Sequence, residues 1–432
     1  MKHFSTSTEK DEKNISTVQN VPAGPDPTPS ALPAFPDGGW RAWLVIAGVA
    51  ALNFATFGVS VSWGTFQAYY EQTLLKDHTS STIAWIGSLQ FALIFMPGSV
   101  TGRLLDIGYY KLPLGISSIL LVVCALLIAQ CTEYWQFLLC QGIGFGLACG
   151  FIFPSTLGLV SQWFHVHRAL AFGFTACGTS LGGIIFPIMI RFLLPQVGFQ
   201  WTVRIMALVM AVALAFGFIA TRTRLPPRPV GKLFDMAVIK SANLLLYCAA
   251  SFFAFLGIYA LLTFLAVSAT INGISRDMAF YLISITNGAS IFGRIAAGFL
   301  GDRYGPLNML IPFTLVVSAV TYAWPYAHNL GGYICITVFY GIAFGAYVGL
   351  LPSPAASLGP LSSVGARIGF QLTFMSFSIL IGPPIAGAIR STSPSGGFEA
   401  AGAYAGSSIA VGVIFMVLTR KSATGKWIGG KI

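Results

Sequence analysis

The chain has 432 residues, of which 55% are hydrophobic and only 9% charged, with a mean hydropathy of +0.77. Soluble domains carry about 25% charged residues, so a fold surrounded by water is excluded and the bilayer is the solvent this composition suits. The formal net charge of +11 sits in tails and short connections between apolar runs, with no basic stripe interleaved with exposed aromatics, which excludes a nucleic-acid partner.

Residues 1–36 are rich in Ser, Thr, Lys and Glu and then in Pro, too polar and broken to bury anything, and read as a disordered cytosolic tail. This stretch holds no apolar core flanked by a cleavage site, so no removable signal peptide is expected and the first membrane helix serves for targeting. The one N-x-S/T site, Asn14-Ile15-Ser16, lies in the tail and stays unglycosylated if the tail is cytosolic.

Apolar segments follow near 42–66, 82–102, 112–130, 136–160, 168–190 and 202–221, then near 242–268, 278–300, 308–326, 331–351, 366–389 and 401–419. Each is long enough to cross a hydrocarbon core of about 30 Å as a helix. The predicted fold is an all-α membrane protein of twelve transmembrane helices in two pseudo-symmetric six-helix bundles. The first bundle is 37–221, a cytosolic linker 222–240, the second bundle 241–420, and a cytosolic C-terminal tail 421–432. The linker carries five basic residues against one acid, and placing it inside puts most Lys and Arg on the cytosolic side, with both termini there too.

The halves repeat weakly. Gly142, Gly146 and Gly150 match Gly341, Gly345 and Gly349, and each run is followed by a Pro-Ser pair, Pro154-Ser155 and Pro352-Ser353. The same spacing, within a few residues, relates Asp106 to Asp302, and Gly182-Gly183 to Gly382-Pro383. Landmarks at one offset imply a parallel duplication, the organisation that lets two bundles rock about a central site. The glycine ladders themselves permit close helix contact.

Seven cysteines form no CxxC or Cys-His cluster and read as small apolar packing residues. His165 and His167 form an HxH pair in a loop with no third ligand nearby, so neither metal nor cofactor is expected. None of the 13 Asp and Glu residues lies mid-membrane. This leaves a membrane enzyme without clustered acids or a nucleophile-base pair, so no enzymatic activity is expected.

Asp302 and Arg303, in Gly298 to Gly305, fall at the cytosolic end of the eighth helix, in a short loop leading to the ninth. A carboxylate there can pair with a neighbouring helix start when that face is closed and release it on opening. The first-half copy, Gly102 to Gly108, keeps Asp106 but has Ile107 in place of the arginine. Both stretches resemble the G-x-x-x-D-R-x-G loop motif of the major facilitator superfamily. Asp37-Gly38-Gly39-Trp40 resembles the D-G-G-W signature of its monocarboxylate-porter-like group. Residues 163–183 are similar to that group's second signature, with Trp163, Phe164, Arg168, Gly173, Gly178 and Gly182 in place. The likeness runs from about residue 35 to 420 and is closest to fungal members. It implies a transporter working by alternating access, with Asp37, Asp106, Arg168, Asp302 and Arg303 as candidate gating residues. Asp37 also suits an ordinary helix N-cap.

Arg294 stands well within the eighth helix, where a charge costs at least about 2.5–3.5 kcal/mol unless it faces protein or a wet cavity. Asn287 lies on the same helical face. Together they offer a guanidinium fork and an amide to a carboxylate, against a structural arginine bonded to carbonyls. The resemblance implies the substrate role, since an arginine here binds the carboxylate in that group. Its proton-coupled animal members carry an aspartate where this chain has Ser290, and a first-helix lysine that this chain lacks. Facilitated diffusion, or a proton carried on the substrate, is therefore expected in place of proton symport.

Asn53, Tyr259, Tyr340, Tyr347 and Gln371 are further candidates for lining a central cavity, though each also suits an interhelical hydrogen bond. The reading is a monomeric secondary transporter in the cell membrane, or alternatively the vacuolar membrane. Its partner is a small organic anion or carboxylated, including secondary, metabolite. The rivals are an efflux carrier for a neutral secondary metabolite and a non-transporting nutrient sensor on the same scaffold.

Overall fold

The computed structural model describes residues 37–224, 241–360, 363–392 and 397–426. The expected N-terminal tail with Asn14, most of the linker and the last residues of the C-terminal tail lie outside them. Every regular element among the described residues is helical.

Among the described residues, ten helical segments are long and apolar enough to span a bilayer. One of them, Arg168–Ala220, is 53 residues long, which as one rod would reach about 80 Å. Gly198, with φ 74°, breaks it into two. The helix Arg276–Tyr304, 29 residues long, is also of spanning length but carries Arg294, Asp302 and Arg303, which lower its hydropathy. Among the described residues the count is therefore twelve, as the apolar runs predict: α1 Trp40–Leu74, α2 Thr82–Asp106, α3 Lys111–Ile128, α4 Tyr134–Trp163, α5 168–197, α6 199–220, α7 Ala242–Ile271, α8 Arg276–Tyr304, α9 Pro306–Tyr326, α10 Leu330–Ser357, α11 Val364–Arg390 and α12 Glu399–Thr424.

Starts and stops follow local chemistry. The Asn329 side chain accepts the Gly332 N–H ahead of α10 and Ser275 accepts that of Met278 ahead of α8. Gly305, at φ 98°, ends α8, and Pro306 begins α9. Three helices outrun their apolar cores. The α1 helix continues to Leu74 through a π-helical turn, and α10 continues through Pro352–Ser357. The α12 helix continues to Thr424, so the C-terminal tail begins later than residue 421; Arg420 and Ser422 are held by Asn308 and Asn243, and left-handed Gly425 supplies the stop.

The core is apolar, but so is the outer surface, and several polar side chains are packed inside. Ile219, Phe292 and Leu208 are exposed, as residues facing lipid tails are, while Asn53, Gln90, Gln141, Arg294, Arg367 and Gln371 are buried. The halves meet chiefly along the helix pairs α5 with α8, α2 with α11, α4 with α11 and α5 with α10. Replacing each helix by its counterpart six places on converts α2 with α11 into α8 with α5, and α4 with α11 into α10 with α5, which is the pseudo-two-fold relation. Glycine makes the approach possible. A Cβ on Gly98 would stand 2.7 Å from the Gly369 carbonyl oxygen, and one on Gly298 2.7 Å from Leu170 Cα.

Candidate functional site: two latches and a buried arginine

Asp106 ends α2, and its carboxylate crosses to the start of α11, accepting the Gly365 N–H at 3.0 Å and the Ala366 N–H at 2.8 Å. Asp302, in the last turn of α8 and not in a loop as the motif suggests, accepts the Ala169 and Leu170 N–H groups at the start of α5, at 2.8 and 3.0 Å. A helix start presents unpaired N–H groups and a positive dipole end, so each carboxylate is a charged cap on a helix of the opposite half. Both latches lie on the face that holds the start of α1 and the end of α12, and there the two halves are joined.

Asp37 adopts a left-handed backbone, φ 43°, and its Oδ1 accepts the N–H groups of His165 and Val166 at 2.6 and 2.7 Å. Gly39 occupies the α1 N-cap and no side chain caps that helix, so Asp37 clamps the α4–α5 connection and is not the cap of α1. Trp43 adds edge-on contacts to Phe164 and Phe174 at 5.5 and 5.4 Å, and the two signature stretches are thus in contact. Arg168 sits where the charges of both Asp37 and Asp302 reach it, and its Nε donates to the Phe164 carbonyl at 3.3 Å. Arg303 is exposed and lies over the Tyr304 ring, away from this group.

Arg294 is 2% exposed and lies about 15 Å from the latched end of α8, ten residues from Tyr304. One of its terminal nitrogens donates to the Ala176 carbonyl on α5, and its Nε is buried with no partner. No carboxylate among the described residues is within ion-pair reach of it; the groups close enough to feel its charge are Cys177 and Tyr259. Further along the same interface Ser290 and Ser180 share a hydrogen bond of 2.6 Å, and Asn287 donates to the Ile283 carbonyl at 3.1 Å and to Gly183 at 3.5 Å. Asn287 therefore faces α5, on the same seam as Arg294.

Beside Arg294 stands an aromatic wall. The ring of Tyr259 lies 5.7 Å from Phe91 of the first half and 6.3 Å from Phe344, which stacks on Tyr340. Tyr340 donates to the Ile258 carbonyl, Gln371 donates to Ser251 at 2.9 Å, and Tyr347 packs on Phe255. Asn53 donates to the Thr175 carbonyl at 3.0 Å, a bond within the first half. Tyr259 and Arg294 thus come together, whereas Asn53, Tyr340 and Gln371 are engaged in interhelical bonds in this conformation.

The sequence reading missed Phe91, Phe344 and, above all, Arg367. Arg367 is 2% exposed and donates five hydrogen bonds, four of them to the carbonyls of Ala355, Ala356, Gly359 and Pro360 and one to Ser363. The signal that would have found it is the internal repeat, because the offset relating Gly142 to Gly341 also relates Arg168 to Arg367.

The model of the Major Facilitator Superfamily matches residues 44–383. The chain belongs to that superfamily. The transporter is 34% identical to the MFS-type transporter opdF of Penicillium oxalicum, over 93% of this chain and 95% of that one. It is also 34% identical to the aspyridones efflux protein apdF of Emericella nidulans, over 89% and 78%. To the agnestins efflux protein AgnL12 of Paecilomyces divaricatus it is 32% identical, over 96% and 97%. Among solved structures, the human organic anion transporter MFSD10 superposes with a TM-score of 0.69 at 16% identity, covering 87% of this chain and 99% of that one. The Escherichia coli fucose:proton symporter FucP does so with 0.66 at 15%, covering 88% and 99%. At such identities these two establish the shared fold of the transporter.

Proposed function

We propose that this transporter exports an organic anion, a secondary metabolite bearing a carboxylate, across the cell membrane by alternating access. On this reading it works as a monomer with both termini cytosolic, within the monocarboxylate-porter-like group of the superfamily. The observation that carries the reading is Arg294: a guanidinium 2% exposed, without a carboxylate partner among the described residues and with Nε unpaired. A buried cation lacking a counter-ion is costly, and a substrate carboxylate supplies the missing charge in bidentate geometry. Tyr259 and the aromatic wall suit an apolar or aromatic body attached to that carboxylate. Export is favoured by the relatives named as efflux proteins for aspyridones and agnestins. With Ser290 in place of an acid beside Arg294, the proton is not relayed by the protein but travels on the substrate, or no proton moves.

A second reading, a neutral metabolite with Arg294 as a packing residue, is favoured by the bond from Arg294 to Ala176. Transport of matched acids and their neutral amides into proteoliposomes separates the two, using wild type, Arg294→Lys and Arg294→Ala with and without a pH gradient. Loss of a charge-assisted hydrogen bond is worth about 1.5–3 kcal/mol, roughly 10- to 150-fold. That loss is expected for acids in Arg294→Ala, with partial retention in Arg294→Lys. Equal transport of the neutral amide by all three proteins, with no acid transported, overturns the anion reading.

A further inference from the structure

The first half contains a small cavity, lined by none of the Arg294-seam residues, between α1, α2, α3, α4 and α6. Gln90, Gln141, Phe145, Met206 and Met210 line it, all buried. The space open to a water-sized sphere is about 20 Å³, and a single water needs about 10–15 Å³ on that measure. Two amide side chains line it with polar atoms to spare. Gln90 gives its Nε2 to Ser60 at 3.0 Å, while its Oε1 is buried with no partner. Turning the amide over would leave its nitrogen in the same position, so one polar atom remains unmet either way. Gln141 accepts the Tyr70 hydroxyl at 2.7 Å, which uses its oxygen and leaves its amide nitrogen without a protein acceptor.

The backbone around the cavity is irregular in a consistent way. The three π-helical stretches among the described residues are Phe54–Gly58, Tyr70–Leu74 and Leu138–Phe145. Val59, which follows the first, and Gln141 and Phe145 of the third line the cavity, and Tyr70 of the second bonds to Gln141. Such wide turns occur at functional sites more often than elsewhere. The second half carries a different side chain at the matching position. The offset that relates Gly142 to Gly341 places Tyr340 at the position of Gln141 and Ile258 at that of Val59, and the Tyr340 hydroxyl donates to the Ile258 carbonyl. A tyrosine bonded directly to the neighbouring helix thus stands where the first half has a shorter amide.

We propose that one ordered water occupies this cavity, donating to Gln90 and accepting from Gln141, and so bridges α2 to α4. An unmet buried amide oxygen is costly, and a bridging water largely recovers that cost.

X-ray radiolytic footprinting of the full chain in lipid nanodiscs, in ordinary and in oxygen-18-labelled water, tests this directly. Hydroxyl radicals formed from a resident water oxidise the side chains touching it, and Met206 and Met210 are sensitive reporters. Met375 and Met416, each 0% exposed, serve as buried controls. The expected result is oxidation of Met206 and Met210 several-fold above those controls, with oxygen-18 incorporated. Oxidation no greater than at Met375 and Met416 overturns the proposal. In Gln90→Leu, which removes the unmet acceptor, labelling should fall to the control level; persistent labelling overturns the amide bridge. Should that variant fail to fold, the wild-type comparison still decides.

Discussion

Asp106 and Asp302 hold equivalent positions in the two halves and make the same contact in opposite directions, each capping the first amides of a helix in the other half. The pair closes one face of the transporter symmetrically, and the glycine crossings behind them, Gly98 against Gly369 and Gly298 against Leu170, allow the helices to meet without side chains between them. The carboxylate charge should matter more than its shape. Asp302→Asn retains an acceptor but loses the charge, and is expected to weaken the closed face by about 1–2 kcal/mol. The readout is maleimide labelling of a cysteine introduced at Ser99, which bonds to Thr373 across the halves in the latched state. Labelling should quicken roughly 5- to 30-fold, and an unchanged rate would show that the latch carries no weight.

Glycine supplies a second route to the same shift. A methyl at position 98 would press on the Gly369 carbonyl at 2.7 Å, backbone against side chain with nothing flexible to yield. Gly98→Ala should therefore part α2 from α11 and raise Ser99→Cys labelling in a protein whose Asp106 and Asp302 are both intact. Normal labelling in Gly98→Ala would mean that the seam accommodates the methyl by sliding.

The helices are legible in the sequence because a bilayer demands about twenty apolar residues per crossing, and α8 is still visible although Arg294, Asp302 and Arg303 dilute it. Arg294 is equally plain, as a lone cation within an apolar run. Arg367 is not, since it lies four residues into α11 behind Ser362 and Ser363 and reads as a helix-end cation, while its partners come from a turn that hydropathy places outside any helix. The ends of α1 and α12 escaped for a related reason: polar residues such as Gln67, Glu71 and Arg420 stay helical because side-chain hydrogen bonds hold them. The Gln90 and Gln141 cavity joins two helices through space, and no local pattern in either announces it.

The two buried arginines should respond oppositely to substitution. Arg367 donates to four backbone carbonyls and a hydroxyl, so Arg367→Leu strands the end of α10 and is expected to cost at least about 3 kcal/mol. Arg294 donates once to a carbonyl and leaves Nε unmet, so Arg294→Leu removes an uncompensated charge and should leave the melting temperature unchanged or raise it. Thermal melts of both variants in detergent, followed by size-exclusion profiles, check the contrast. A large drop for Arg294→Leu would make it a structural arginine of the same kind as Arg367.

On the face opposite the latches, Arg191 of α5 pairs with Asp277 at the start of α8 at 2.7 Å, and its guanidinium lies over the rings of Phe280 and Tyr281. The α5–α8 seam is thus tied at both ends in this conformation. Asp277 is 77% exposed, so the pair is screened and contributes less than about 1 kcal/mol to stability; its interest lies in where it stands. If substrate passes between the halves on this face, the outer ends of α5 and α8 must separate in each cycle. Joining Arg191→Cys to Asp277→Cys with a short bifunctional methanethiosulfonate should then stop transport, and dithiothreitol should restore it. The single variants should transport normally under the same treatment. Full transport in the cross-linked double variant would mean that α5 and α8 stay together on this face and that the opening lies along the α2 and α11 side.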